Sequence, residues 1–434
     1  MNALRVLIAM NRLPKKCYAG KRRSSLRPFG NPPPMRSAEP PLAGIRVVEV
    51  GNFMAVPFAG MQLADLGADV IKVENPHGGD LTRTTGPFID GESSNFVRLN
   101  RNKRSVALDL KSPEGKALFK RLAASADIVI ENLRPGTMDA LGLGYAALAA
   151  ASPRLIYLSA TGFGKDGPYA QLAGLDIIAQ AMSGLMSITG EPGAPPVKVG
   201  VPIADLTCAL YATIAVLAAL RARDRDGTGQ FIDVSLLESA VSLAVWEAGR
   251  YFATGEVPTP SGSAHQAIAP YQAVRSADGW FTFGANTQPH WQRACTVFGL
   301  ERLIDEPRFA TNDVRLENRP ALIAEIERVT ATQPAAYWTE RLGAAGLPCG
   351  PIHRFDQVFS DPHLAARSFF ADAPHPTLGA VRQIGSPMRL SRTPPRIERA
   401  GPSLGADTAD VLRAIGVDDG EIERLARDGV AVSA

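Results

Sequence analysis

The chain has 434 residues, 45% of them hydrophobic and 21% charged, a balance ordinary for a soluble enzyme and a length that suits two domains. Its net charge of +3 hides an asymmetry: of 46 Lys/Arg and 43 Asp/Glu, nine cations and no acid fall in residues 1–38, so the remainder is net −6, the wrong sign for a nucleic-acid binder. The longest apolar stretch, residues 204–220, is interrupted by Asp205, Thr207 and Thr213 and falls short of the roughly 18 uninterrupted residues of a membrane span.

The basic head is rich in Arg and Ser, as mitochondrial presequences are. It reads equally as a plain tail, or as residues ahead of a true start at Met35. A cytoplasmic location is expected, or the mitochondrial matrix if the head is a presequence. Cys17, Cys208, Cys295 and Cys349 form no CxxC and no disulfide framework, which suits a reducing compartment. The six histidines show no HxxxH spacing, so no metal is expected.

Pro32–Pro34 and Pro40–Pro41 end the head, and order is expected from Leu42. Residues 44–50 carry a buried-strand pattern, a helix is predicted over about 56–66, and 68–74 is the next strand. Another strand is predicted over 105–110. Ser112-Pro113-Glu114 then opens a helix, with Ser as cap and Pro at its first position. Strands follow at 127–131 and 154–159. Strands alternating with amphipathic helices predict a mainly parallel, Rossmann-like α/β sheet. Helix is predicted to dominate from about 176 to 253, with a break at Gly227-Thr228-Gly229. Residues 257–262 read as a linker, 265–350 as a smaller α+β unit, and 351–434 as helices broken near Pro362 and Gly405. No internal repeat is evident.

The most informative run is Gly200-Val201-Pro202-Ile203-Ala204-Asp205-Leu206-Thr207. It sets one carboxylate at the mouth of a long apolar helix, where the helix dipole is expected to keep it ionised. Such a carboxylate either caps the helix or attacks a carbonyl carbon. The first strand–helix turn, Gly51 to Gly60, lacks GxGxxG, and the chain has no GxxxxGK[ST] and no GxSxG. Dinucleotide, nucleoside-triphosphate and serine-hydrolase chemistry therefore lack their signatures.

Longer signatures run in order through the chain: Val56–Glu74, Asn100–Gly115, Glu131-Asn-Leu-Arg-Pro-Gly136, Gly162-Phe-Gly-Lys-Asp-Gly-Pro-Tyr169, Ala173–Gly184, the Asp205 run, Gly227–Gln230, Ala269-Pro-Tyr-Gln272 and Gly346–Pro351. Together they resemble the class III coenzyme A transferase family, the group of formyl-CoA and carnitinyl-CoA transferases, over about 42–430. The resemblance implies an interlocked homodimer with a Rossmann-like large domain and a smaller α+β domain. After a tail of 1–41, it divides the chain into a large CoA-binding domain (42–235), a linker helix (236–264), a small domain (265–350) and a segment returning to the large domain (351–434). It implies no resident cofactor; a coenzyme A thioester and an organic acid are the substrates, with neither nucleic acid nor membrane as a partner.

In this family the Asp that here is Asp205 attacks the donor thioester and forms a mixed aspartyl anhydride, while the CoA thiolate stays bound. Motif matching places Phe53 and Met54 beside the thioester arm, Leu108, Asp109, Leu110 and Lys111 on the nucleotide side, and Asn132, Leu133 and Arg134 at the adenine; Lys111 and Arg134 could offer charge to the phosphates. Two positions depart from the family, Asn75 and Ala140, where arginines often hold CoA phosphates. Arg83, Arg101, Lys103 and Arg104 are candidates to compensate. The family's racemases carry His where this chain has Leu175. Leucine cannot move a proton, so transferase is favoured, with an isomerase and a non-catalytic acyl-CoA binder as alternatives. Asp176 is a candidate secondary acid. The stretch Gly262–Ala269 lacks the glycine run of formyl-CoA transferases and resembles the branch that uses succinyl-CoA and dicarboxylic acids; His265 and Gln266 are candidates to orient the substrate carboxylate.

Overall fold

The structure, a computed structural model, describes residues 39–432; the basic head, and the expectations attached to it, lie outside the described residues. A seven-stranded sheet runs in the order Ala431–Val432, Arg104–Leu108, Asp69–Glu74, Arg46–Val50, Ile128–Glu131, Ile156–Thr161, Phe231–Ser235. Every neighbouring pair is parallel except the first, where Ala431 pairs antiparallel with Leu108. The central strands are near-continuous apolar runs because helices cover both faces.

On one face the helices Ala55–Asp65, Ile203–Asp226 and Leu236–Ser242 enclose a core that includes Val47, Leu63, Ile130, Ala209 and Ala240. On the other, Pro113–Ala124, Thr408–Ala414 and Asp419–Arg427 close over Val48, Val73, Phe119 and Leu425. Pro113 opens its helix as predicted, with the Ser112 hydroxyl accepting the Gly115 N–H at 2.9 Å. Helix Ile203–Asp226 is long and apolar enough to cross a membrane by length and composition, yet half of its most apolar window is buried in the protein. Here it serves as a core helix.

The region from 176 to 253 is not continuous helix. It holds five helices, an irregular stretch over 189–202, and the edge strand Phe231–Ser235, which pairs with Tyr157–Thr161. That strand has five residues between helices, too short for its alternation to stand out. The last 84 residues also differ from the helical expectation. They contain the hairpin Phe370–His375/Gly379–Ile384 as well as short helices. Pro374 and three alanines within the hairpin strands mask their β character. The hairpin packs on helix Ser94–Leu99 through Phe96, Val97, Ala373 and Val381.

Residues 269–351 build a separate core. The antiparallel strands Tyr271–Ser276, Gly279–Gly284 and Cys349–Pro351 pack with neighbouring helices around Phe281, Phe283, Trp291, Phe298 and Trp338.

Candidate active site

The chain starts the sheet at Arg46–Val50, builds outward through Asp69–Glu74 to Arg104–Leu108, then returns to the other side of the first strand at Ile128–Glu131. The order therefore reverses between Arg46–Val50 and Ile128–Glu131, and in open α/β sheets the crevice beyond such a reversal is where ligands bind. A cavity of about 1330 Å³ lies there. Its walls include Asn52–Ala55 and Asn132–Pro135, just past the two central strands, together with Asp176 and Asp205.

The two loops are tied across the reversal. Asn52 N–H donates to Asn132 Oδ1 at 2.9 Å, and Asn132 Nδ2 donates to Asn52 O at 2.9 Å. Phe53 sits at φ 60°, half-exposed towards the cavity, a backbone state that an aromatic residue rarely adopts. A buried charge cluster fixes it. Lys72 Nζ donates to Gly51 O at 2.7 Å and pairs with Glu49 at 2.9 Å and Asp80 at 2.8 Å, and Asp80 Oδ1 accepts the Phe53 N–H at 3.2 Å. Lys103 completes the cluster at 2.8 Å from Glu49. Burial opposes the charge on Lys72, but Glu49, Asp80 and Glu74 outweigh it and hold the amine above its ordinary range. Lys103 is pushed down to about 8, chiefly by burial.

Asp205 lies in the first turn of Ile203–Asp226 and is not the cap; Pro202 precedes the helix and makes no side-chain cap bond. The capping carboxylate is Asp176, from another helix. Its Oδ1 accepts the N–H groups of Ala204 at 2.9 Å and Asp205 at 3.3 Å. Its Oδ2 accepts from Gln180 Nε2 at 2.6 Å, and Gln180 Oε1 accepts the Val199 N–H at 2.9 Å. Gln180 is fully buried. Asp176 reaches this place because Gly162 and Gly174 pass backbone against backbone: a Cβ on Gly174 would stand 2.5 Å from the Gly162 Cα.

The expectation that the helix dipole keeps Asp205 ionised does not hold. Burial, then the neighbouring Asp176, push its pKa up to about 7, so near neutrality the carboxylate is divided between its charged and neutral forms. It faces a cavity where a thioester carbonyl could approach, which is an arrangement for nucleophilic attack.

Of the residues predicted from sequence, Phe53, Met54, Asn132, Leu133, Arg134, Asp176 and Asp205 line this one cavity. Leu108 is 2% exposed and packs in the core. Asp109 follows it and accepts the Lys111 N–H at 2.9 Å; neither they nor Leu110 reach the cavity lining. His265 stacks on Tyr271 with ring centroids 5.0 Å apart, and Gln266 donates to Glu247; both lie away from the cavity. The four compensating cations are committed elsewhere: Arg83 to Glu74, Arg101 to Asp65, Lys103 to Glu49 and Arg104 to Asp69. Of the four, Arg101 alone is in the cavity lining.

The cavity has members that no motif marked. Arg98 and Lys198 add cations to its lining, and Gly385–Pro387 form part of the wall just beyond the C-terminal hairpin. Arg98 lies on a six-residue helix, where a lone arginine looks like surface charge. The wall formed by 385–387 depends on a hairpin the sequence does not reveal.

Family comparisons agree with this geometry. The family described as CoA-transferase family III matches residues 42–408. A succinate–glutarate CoA-transferase of Agrobacterium fabrum is 41% identical over 390 residues, covering 87% of this chain and 96% of its own. A succinyl-CoA–D-citramalate CoA-transferase of Chloroflexus aurantiacus is 38% identical over 386 residues, covering 87% and 95%. The crystal structure of a CAIB/BAIF family protein from Brucella suis superposes with a TM-score of 0.80 at 40% identity, covering 87% of this chain and all of that one. An α/β sheet with a cavity at its reversal point, and a family match that spans most of the sequence, lead to one conclusion: this chain is a CoA transferase and belongs to CoA-transferase family III.

Proposed function

We propose that this enzyme moves coenzyme A from succinyl-CoA to a dicarboxylic acid through a mixed anhydride on Asp205. The observation that carries the mechanism is the Asp205 carboxylate itself, on the wall of the switch-point cavity and pushed up to about 7. Such a group is ionised often enough to attack and is poorly solvated when it does so. Asp205 Oδ attacks the thioester carbonyl carbon; the C–S bond breaks and CoA leaves as a thiolate. The acceptor carboxylate exchanges with the departing acid at the aspartyl carbonyl, giving a second mixed anhydride. The retained thiolate attacks its acyl carbon, which forms the new thioester and frees Asp205. Keeping the thiolate beside the anhydride supplies effective concentration.

Phe53 and Met54 are read as flanking the pantetheine arm, with Asn132, Leu133 and Arg134 at the adenine end. The dicarboxylate class is supported by the relatives, two of which are transferases of glutarate and D-citramalate. Leu175 lines the cavity beside Asp176 and is 66% exposed. Leucine carries no proton, so the histidine that the family's racemases use at that place is missing, which counts against the isomerase alternative.

The same reading takes 42–235 with 351–434 as the CoA-binding domain and 265–350 as a small domain, joined by 236–264, in an interlocked homodimer. Its support is the run of exposed large apolar side chains on helices Ile203–Asp226 and Val245–Thr254, among them Leu210, Ile214, Val245, Trp246 and Phe252, the last 82% exposed. In such a dimer, His265 and Gln266 of one protomer would approach the cavity of the other.

The test is mass spectrometry after incubation with succinyl-CoA and hydroxylamine. A hydroxamate on the peptide containing Asp205, absent from Asp205→Ala, is the expected result. Turnover that persists in Asp205→Ala would sink the mechanism.

A further inference from the structure

Two acids and four cations line the cavity: Asp176 and Asp205, with Arg98, Arg101, Arg134 and Lys198. Arg101 is neutralised by Asp65 at 2.6 Å and is spent on holding Ile384 O as well. Lys198 is exposed, and its ammonium bonds only the carbonyl of the next residue. Arg134 stands on the loop after Ile128–Glu131 and is exposed. Arg98 differs from all three. It is half-buried, and one edge of its guanidinium is pinned: Nη1 donates to Ser94 O at 2.8 Å and to Ser94 Oγ at 2.6 Å. No carboxylate pairs with it among the described residues, and Nε and Nη2 have no acceptor there. The only acids in the lining are Asp176 and Asp205, and neither is paired with Arg98 among the described residues.

A half-buried guanidinium with one edge fixed and the other free is prepared for a planar, bidentate anion. We propose that Arg98 is a specificity-determining residue that binds the distal carboxylate of the dicarboxyl substrate, in the acyl donor and in the acceptor alike. This rests on the transferase mechanism proposed above. It supplies what that mechanism leaves open, namely a reason for preferring a second carboxylate over a methyl group. A CoA phosphate is the competing anion. Arg98 is placed against that use because it stands on the helix Ser94–Leu99 and not on the 132–135 loop read as the adenine end.

The experiment measures acylation of the enzyme by succinyl-CoA and by butanoyl-CoA, which share chain length and differ in the distal carboxylate. Wild type, Arg98→Gln and Arg98→Lys are compared, with hydroxylamine trapping at Asp205 as readout and thermal melting as the check on folding. Arg98→Gln is expected to lower the efficiency with succinyl-CoA about 10- to 100-fold, the range of a lost charge-assisted pair, and to leave butanoyl-CoA unchanged. Arg98→Lys should recover part of the preference, since it keeps charge but not the fork. Equal losses with both thioesters would assign Arg98 to a CoA phosphate and overturn the proposal, as would an unchanged preference. A wild type that forms no adduct with succinyl-CoA would instead remove the underlying mechanism, and the Arg98 assignment with it.

Discussion

Asp176 caps the helix that carries Asp205: one oxygen accepts the N–H groups of Ala204 and Asp205 at 2.9 and 3.3 Å, and its charge helps hold the neighbouring carboxylate near neutrality. One acid therefore positions the other and also restrains its ionisation.

On the mechanism proposed above, formation of the Asp205 adduct should rise with pH through about 7, because the ionised form is the one that attacks. Asp176→Asn removes the like charge but keeps an acceptor for the helix N–H groups. The rising limb should move to lower pH by up to about one unit while burial still holds it above an ordinary aspartate. Trapped adduct measured against pH checks this; a limb that stays in place would discount the electrostatic role of Asp176.

Asp205 also weighs on stability, and the sign follows from its raised pKa. The folded value lies above the unfolded one, so its favourable contribution is complete below about pH 4 and is lost as pH rises through 7. Asp205→Asn cannot ionise. Its stability relative to wild type should grow between pH 4 and pH 8 by on the order of 1–2 kcal/mol, a figure reduced for partial solvation. Urea denaturation at the two pH values decides it.

Lys72→Met leaves Glu49 and Asp80 facing one another with Lys103 as their remaining cation. Removing one partner of a buried ion group costs roughly 3–5 kcal/mol, and the Gly51–Phe53 turn loses its anchor. We expect that loss in chemical denaturation and, in the folded fraction, weaker binding of CoA by calorimetry.

Gly174→Ala drives a methyl group into the Gly162 backbone. Neither main chain can yield without carrying Asp176 away from the helix start. Overpacking of this kind costs about 1–3 kcal/mol; a displacement near 1 Å at a reacting group costs about 100-fold in rate. Acylation should fall far more than melting temperature does.

Much of this was legible from residue order. The apolar runs at 46–50, 69–74 and 128–131 and the Ser112-Pro113 helix start are local signals, and all lie within two residues of their expected bounds. Asp205 stood out because its window is otherwise almost free of acids. What stayed hidden is long-range. The Asp176 cap joins residues 28 and 29 positions apart. The pairing of Arg83, Arg101, Lys103 and Arg104 depends on acids brought alongside by the sheet and by helix Ala55–Asp65. A count of charges cannot tell a free arginine from an engaged one. The edge strand at 231–235 is only five residues between helices, and the hairpin at 370–384 is weak in β-formers, so their neighbours make them strands.

The paired asparagines across the sheet reversal have a consequence for traffic through the cavity. Because Asn52 and Asn132 each donate to and accept from the other's loop, the ends of the two central strands move as one body. Leu172–Ile177 is held as well, by the Gly162–Gly174 contact and the Asp176 cap, so any widening of the cavity falls to the wall at Gly385–Pro387. Most of the chamber is a fixed frame around the Asp205 carboxylate, and exchange of its contents belongs to the short stretch beyond the C-terminal hairpin.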